Sequence, residues 1–201
     1  MIPLLSVLLA YVIGAIPFGY LLVRWKTGVD VRSSGSGNIG ATNVLRTTGI
    51  VTGVATLLLD IAKGYVAVWI ADRASAGSSF WTSLAALAVM AGHAYPVFLG
   101  FKGGKAVASF IGAFLRLVPL ATIAMLVVFL AVVAKTRYIS LGSIVGAATF
   151  PLAVWLIFQP PLPIEVASLA AAGFIIYRHR ANIQRLQQGS EHLLSFGARR
   201  S

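Results

Sequence analysis

The sequence predicts an all-α polytopic membrane protein of about seven transmembrane helices, with the N-terminus outside and the C-terminus cytoplasmic. Three observations carry this. Hydrophobic residues make up 58% of the 201 positions and charged residues only 10%, against roughly 25% charged in an ordinary soluble domain. The apolar residues fall in runs close to the ~20 residues that one helical crossing needs. The basic residues gather in the polar segments between alternate runs. A soluble fold this small cannot bury so much apolar surface, and a disordered chain would not carry it. Residues 1–201 read as a single integral-membrane domain.

The first run, about 2–23, has no basic residue ahead of it and leads into Arg24 and Lys26. It reads as a retained span and not as a cleaved signal peptide. The second run is about 50–71 and the third about 80–99. The fourth, about 105–118, and the fifth, about 119–134, are short and meet at Arg116-Leu117-Val118-Pro119. They form two short spans or one re-entrant hairpin, and the hairpin leaves five spans. The sixth run is about 139–158 and the seventh about 162–177, joined by the rigid Gln159-Pro160-Pro161-Leu162-Pro163.

The bases set the orientation. With the N-terminus outside, the inner segments hold Arg24, Lys26, Arg32, Arg46, Lys102, Lys105, Lys135, Arg137, Arg178, Arg180, Arg185, Arg199 and Arg200, which is 13 of 16. The outer segments hold only Arg73 and Arg116, and Lys63 lies inside the second span. This is a positive-inside distribution. The net charge of +11 therefore points to membrane orientation and anionic ligands, and away from nucleic acid. The chain has no cysteine, which excludes disulfides, thiolate catalysis and cysteine metal sites. Asp60 and Lys63, three apart in the second span, are expected to pair with each other. Asp30, Asp72 and Glu165 read as structural acids near the membrane surfaces.

Three polar segments fall on the inner face. The first runs Ser34-Gly35-Ser36-Gly37-Asn38-Ile39-Gly40-Ala41-Thr42-Asn43-Val44-Leu45-Arg46. Its glycines allow a ligand close to backbone N–H groups, and Arg46 offers a forked donor for phosphate. The alternative is a flexible connector capped by a helix start. Gly35 to Gly40 also fits G-x-G-x-x-G, but no strand precedes it, so a dinucleotide site is not expected. The second runs from Gly92-His93 to Lys102-Gly103-Gly104-Lys105 and Ser109, just before an apolar helix. A glycine pair at a helix N-terminus suits an anion. The alternative is a positive-inside flank with a glycine turn. It is not a Walker A loop, because Ala106 stands where Ser or Thr belongs. His93 reads as a helix-packing residue. The third holds Arg178, His179, Arg180, Asn182 and Arg185, followed by Glu191. If helical, His179 and Asn182 share a face. The arginines either reach the site or lie on anionic head groups. Glu191 is expected to pair with an arginine.

Together these segments resemble those of the bacterial acyl-phosphate:glycerol-3-phosphate acyltransferase family, over the whole chain and in span order. Two positions depart, since the family pattern has Gly where Ala106 stands and Thr where Ser109 stands. The resemblance implies transfer of a fatty acyl group from acyl phosphate to the 1-hydroxyl of glycerol 3-phosphate, giving lysophosphatidate and phosphate. That is the first acylation of phospholipid synthesis, placed at the cytoplasmic face of the bacterial inner membrane. It implies Ser36, Arg46, Lys105, His179 and Asn182 as catalytic residues. Gly37, Asn38, Thr42, Asn43, Lys102, Gly103 and Gly104 would bind substrate, and Glu191 would be structural. It implies no cofactor and no metal. The partners are the two small substrates, the bilayer and the enzyme that makes acyl phosphate. The family uses neither acyl-CoA nor acyl carrier protein directly, and no histidine here is followed by Asp in the H-x-x-x-x-D pattern.

Direct attack of the glycerol hydroxyl on the acyl carbonyl needs no covalent intermediate, because phosphate is already a good leaving group. Arg46 and Lys105 would neutralise two anions that repel. The base is either His179 or an oxygen of the acyl phosphate. Ser36 as a covalent nucleophile is the other route. Outside enzymology, a transporter of organic phosphates and a non-catalytic membrane scaffold are the competing classes.

Overall fold

The computed structural model describes residues 1–194, and every regular element among them is helical. Arg199 and Arg200 lie outside the described residues. In chain order the helices are α1 (Ile2–Ala15), α2 (Phe18–Thr27), α3 (Ala41–Thr48), α4 (Ile50–Ala74) and α5 (Ser79–Ala94). They are followed by α6 (Val107–Leu117), α7 (Pro119–Thr136), α8 (Ile139–Phe158), α9 (Leu162–Arg178) and α10 (Arg180–Gln187). Helix α1 packs on α4 and α5, α4 on α6, α7 on α8, and α9 on α5 and α8.

The first apolar run is not one continuous helix, as its composition suggests. It breaks at Ile16-Pro17, because Pro17 has no N–H to continue the ladder and its ring clashes with the preceding turn. The break leaves the Ile16 carbonyl without a helical partner, and Lys63 Nζ on α4 donates to it at 2.8 Å. The same ammonium sits 2.7 Å from Asp60 Oδ1. The expected Asp60–Lys63 pair therefore exists, and it also caps a broken helix.

Five stretches among the described residues are long and apolar enough to cross a bilayer, against about seven expected. They are Ile2–Thr27, Ile50–Ala74, Ser79–Leu99, Pro119–Thr136 and Ile139–Phe158. The fifth run reaches crossing length as α7, with 18 residues. The fourth does not: α6 has 11 residues, about 16 Å by the 1.5 Å rise. Its packing explains this. The Gly64 Cα approaches the Ser109 carbonyl so closely that a Cβ would lie 2.2 Å from it, and a Cβ on Gly112 would lie 1.9 Å from the Ile61 carbonyl. This register sets the start of α6 level with the Asp60 region, ten residues into α4 and about 15 Å from its first residue. The 95–106 segment thus dips into the bundle, and α6 only has to complete the crossing. Helix α9, with 17 residues, stands at the lower limit of crossing length.

The packing is that of a bilayer protein. The interior is rich in small residues such as Ala10, Ala67, Ala85, Ala86, Ala113 and Ala171, while Leu4, Leu8, Leu58, Leu130, Leu152 and Leu156 are exposed. Hydrocarbon gives large apolar chains no reason to turn inward, so close backbone approach decides the interface. One aromatic cluster supplements it: Phe110, Phe114 and Phe150 meet with ring centroids 4.9–5.0 Å apart. At the far ends of α4 and α6, Arg116 pairs with Asp72.

Candidate active site

One cavity of about 470 Å³ gathers side chains from all three polar segments. Its mouth holds Ser36, Asn38, Thr42 and Arg46, then Lys105, then His179, Asn182, Arg185, Glu191 and His192. Its walls are apolar: Val54, Leu57 and Ile61 on α4, Val107 and Ile111 on α6, and Leu126, Phe129 and Leu130 on α7. From Gly53 to Ile61 the α4 wall covers about 12 Å along the helix. The convergence expected from the sequence is present, with a cationic mouth above a hydrocarbon-like groove.

In the first segment, Asn43 touches the cavity but serves mainly as the internal support of the loop. It is 2% exposed. Its Oδ1 accepts from the Ser36 N–H at 2.8 Å. Its Nδ2 donates to the carbonyls of Val31, Ser34 and Asn38 at 3.3, 3.1 and 2.8 Å. A carboxamide with both ends engaged has little left for a substrate. Gly35 is obligatory here, since its φ is +61° and a Cβ would lie 2.3 Å from Asn43 Oδ1. Asn38 turns back on the Gly40 N–H at 2.8 Å. Gly37 does not line the cavity. Ser36 is exposed at the mouth, and half-buried Arg46 comes from α3. Burial lowers the Arg46 pKa, with Glu191 opposing and Arg185 adding to the effect. A guanidinium stays charged regardless.

The second segment differs from the sequence-based picture. Gly103 and Gly104 do not offer their N–H groups to an anion. Gly103 N donates to the Ala94 carbonyl at 3.2 Å and Gly104 N to the His93 carbonyl at 3.1 Å. Lys102 is exposed and, like the two glycines, is not among the residues lining the cavity. The donors at this wall start later, at α6. Val107 and Ala108 line the cavity, and the first N–H groups of a helix have no intrahelical acceptor. Ala106 sits at φ +62°, in the region that favours the glycine of the family pattern. Lys105 reaches in from this loop, and its Nζ donates to Asn182 Oδ1 at 2.5 Å. Burial brings its pKa down to about 8, with Arg185, Arg46 and Arg178 adding to the effect and Glu191 opposing.

The third segment is a chain of hydrogen bonds. Asn182, in the first turn of α10, donates through Nδ2 to Glu191 Oε1 at 2.8 Å. The same oxygen accepts from Ser140 Oγ at 3.1 Å, and Oε2 accepts from Arg185 Nε at 2.8 Å. Burial works against the Glu191 carboxylate, but the bonds from Asn182 and Arg185 outweigh it and hold its pKa below the usual value. Glu191 thus pairs with an arginine as expected. His179, 2% exposed, lies between α9 and α10. Its Nδ1 is 2.8 Å from the Ile175 carbonyl, which can only accept, so the proton is on Nδ1 and Nε2 carries the lone pair. Burial, then Lys105, brings its pKa down to about 4.

At the mouth, Arg46, Lys105 and Arg185 face one carboxylate, Glu191. His179 is neutral, so the surplus is two positive charges. Among the described residues no three His, Cys, Asp or Glu side chains gather as a metal would need.

Ser140 and Ser143, which the sequence reading did not single out, and Asp60 and His93, which it read as an ion-pair partner and a helix-packing residue, all line the cavity. Ser140 and Ser143, three apart in an otherwise apolar run, carried a readable signal, since they share a helix face. His93 is buried in α5 with Nδ1 3.6 Å from Asp60 Oδ1. That contact depends on the α4–α5 packing and left no mark on the local sequence.

Residues 4–189 match the family described as glycerol-3-phosphate acyltransferase. A glycerol-3-phosphate acyltransferase of Geobacter sulfurreducens is 49% identical over 183 residues, covering 91% of this chain and 93% of the relative. One of Anaeromyxobacter dehalogenans is 45% identical over 190 residues, covering 93% and 94%. The fold is similar to the crystal structure of PlsY (YgiH), an integral membrane glycerol 3-phosphate acyltransferase, in its glycerol 3-phosphate form. The TM-score is 0.91 at 39% identity, with 96% of each chain covered. The lysophosphatidic acid form of that protein gives 0.89 at 38% identity over the same coverage. With its helical bundle, its three converging segments and these likenesses along nearly all its length, the chain belongs to the glycerol-3-phosphate acyltransferase family of integral membrane proteins.

Proposed function

We propose that this chain transfers a fatty acyl group from acyl phosphate to the 1-hydroxyl of glycerol 3-phosphate, releasing lysophosphatidate and inorganic phosphate. The observation that carries this is the cavity, where three cations and the Glu191 carboxylate at the mouth stand above an apolar groove. Two phosphoryl groups brought together repel, and Arg46, Lys105 and Arg185 offset that repulsion in a partly buried site where charge is weakly screened. The groove beside Val54, Leu57, Ile61, Ile111 and Phe129 suits the acyl tail. The donor and acceptor are thereby held with carbonyl and hydroxyl adjacent.

In this reading the hydroxyl oxygen bonds to the acyl carbon. The bond from that carbon to the phosphate oxygen then breaks, and phosphate leaves with the electron pair. The hydroxyl proton passes to the departing phosphate, whose basicity rises as the bond breaks. His179 Nε2 accepts from the hydroxyl and orients it. A pKa of about 4 makes the imidazole a weak base. A loss in kcat above about a hundredfold in His179→Ala would instead make it the general base. Among the described residues no base bonds to Ser36 Oγ, which favours direct attack over an acyl-serine. Trapping an acyl-Ser36 adduct would reverse that.

The site faces the cytoplasm in this reading, supported by the bases on its side of the bundle. The chain has no native cysteine, so single cysteines at Ser33, Lys102 or Gln188 report their side directly to an impermeant reagent. The principal test is an assay with both substrates. Phosphate release that requires acyl phosphate and glycerol 3-phosphate together is the expected result. Counterflow of glycerol 3-phosphate in liposomes without phosphate release would make the protein a transporter.

A further inference from the structure

Lys105 follows two glycines whose backbone N–H and C=O groups are all engaged elsewhere. The N–H groups of Gly103 and Gly104 bond to the end of α5, at the Ala94 and His93 carbonyls. On the other side, the half-buried Arg178 closes α9 and grips their carbonyls. Its Nε donates to the Gly104 carbonyl at 3.2 Å. Its Nη2 donates to the same carbonyl at 2.9 Å and to the Gly103 carbonyl at 3.4 Å. The guanidinium is itself fixed, 4.9 Å above the Tyr95 ring. That ring meets Phe174 edge-on at 6.2 Å, and the Tyr95 carbonyl accepts from the Tyr11 hydroxyl at 2.7 Å. The loop is also closed from below, since a Cβ on Gly104 would lie 2.2 Å from His93 Nε2.

Arg178 does not line the cavity. From this geometry we infer that Arg178 is a positioning residue, clamping the Gly103-Gly104 carbonyls against α5 so that Lys105 projects onto Asn182 and the substrate phosphates. The planar fork matters, because a lysine cannot grip two carbonyls and stack on a ring at once. The inference rests on the proposed role of Lys105 in acyl transfer.

The test is kcat/KM for glycerol 3-phosphate between pH 6 and 10, in wild type, Arg178→Gln and Arg178→Lys. Lys105 is faced by Arg46 of α3, Arg178 of α9, Arg185 and Asn182 of α10, His179 and Glu191. Both variants are expected to lose tenfold to a hundredfold in kcat/KM, and lysine restores little. In Arg178→Lys, which keeps the neighbouring charge, the alkaline limb also moves to higher pH, because Lys105 gains access to water. A merely structural role would lower the yield of folded protein without moving that limb. If Arg178→Gln does not fold, Tyr95→Leu keeps the test alive. It removes the stacking surface and is expected to lower kcat/KM in the same direction by a smaller factor. Activity within threefold of wild type and an unmoved limb would overturn the clamp. Wild type that releases no phosphate with both substrates would instead overturn the acyltransferase reading.

Discussion

Two lysines turn inward, the buried Lys63 and the partly buried Lys105, and their surroundings differ. Lys63 has Asp60 at 2.7 Å and the Ile16 carbonyl at 2.8 Å, so its charge is neutralised and its hydrogen bonds join α1 to α4. Lys105 has a neutral amide oxygen at 2.5 Å, and its one nearby carboxylate, Glu191, is outnumbered by Arg46, Arg178 and Arg185, which oppose its charge. A buried cation matched by a carboxylate is architecture. A buried cation left among other cations is held there at a cost, and an arriving anion relieves it. The same residue type thus separates into a structural and a functional role by its partners alone.

That contrast can be broken by experiment. The largest effect expected is from Lys105→Ala, which should reduce kcat/KM about a thousandfold or more while leaving the thermal midpoint in detergent within a few degrees of wild type. A large fall in that midpoint would place Lys105 with Lys63. Next is Lys63→Ala, which strands Asp60 and the Ile16 carbonyl and should destabilise the protein by about 3 kcal/mol. Asp60→Asn combined with Lys63→Met should recover most of this, since neither charge is then left alone. Kinetic constants of the folded fraction that stayed near wild type would confirm the division. A smaller effect follows from pH. Lys105 titrates at about 8, below its ordinary value, and must be protonated to hold phosphate. Affinity for glycerol 3-phosphate should therefore be level between about pH 7 and 8, where the phosphate is a dianion, and fall about tenfold per unit above that; a profile flat to pH 10 would contradict the assignment. The smallest is Ala106→Gly, which relieves a left-handed alanine and should stabilise by about 1 kcal/mol, with activity retained.

Much of the fold was legible because a bilayer enforces it. Runs of apolar residues must be helices, and bases must collect between alternate runs. The segments holding Ser36, Arg46, Lys105, His179 and Asn182 stood out for the same reason, since polar residues are scarce in such a chain, while the choice of these five within them rested on the family resemblance. Other features were read less well. The break at Pro17 looked like part of one span, because proline is common enough in membrane helices. The brevity of α6 became clear only from Gly64 and Gly112, which fix its register on α4. Asn43, Gly103 and Gly104 looked like ligands for phosphate, but Asn43 is engaged within its own loop, and Gly103 and Gly104 with the end of α5 and with Arg178. Arg178 and Arg185 looked equally suited to lipid head groups.

Sequence alone determined the class of the protein, the three segments that matter and the sign of the charge they carry, because those follow from composition and spacing. Tertiary structure decided which polar groups remain available. A backbone N–H has one hydrogen to donate and a guanidinium a fixed fork of five, and whether the partner is Ala94, Gly104, Glu191 or a substrate depends on helices brought together from distant parts of the chain.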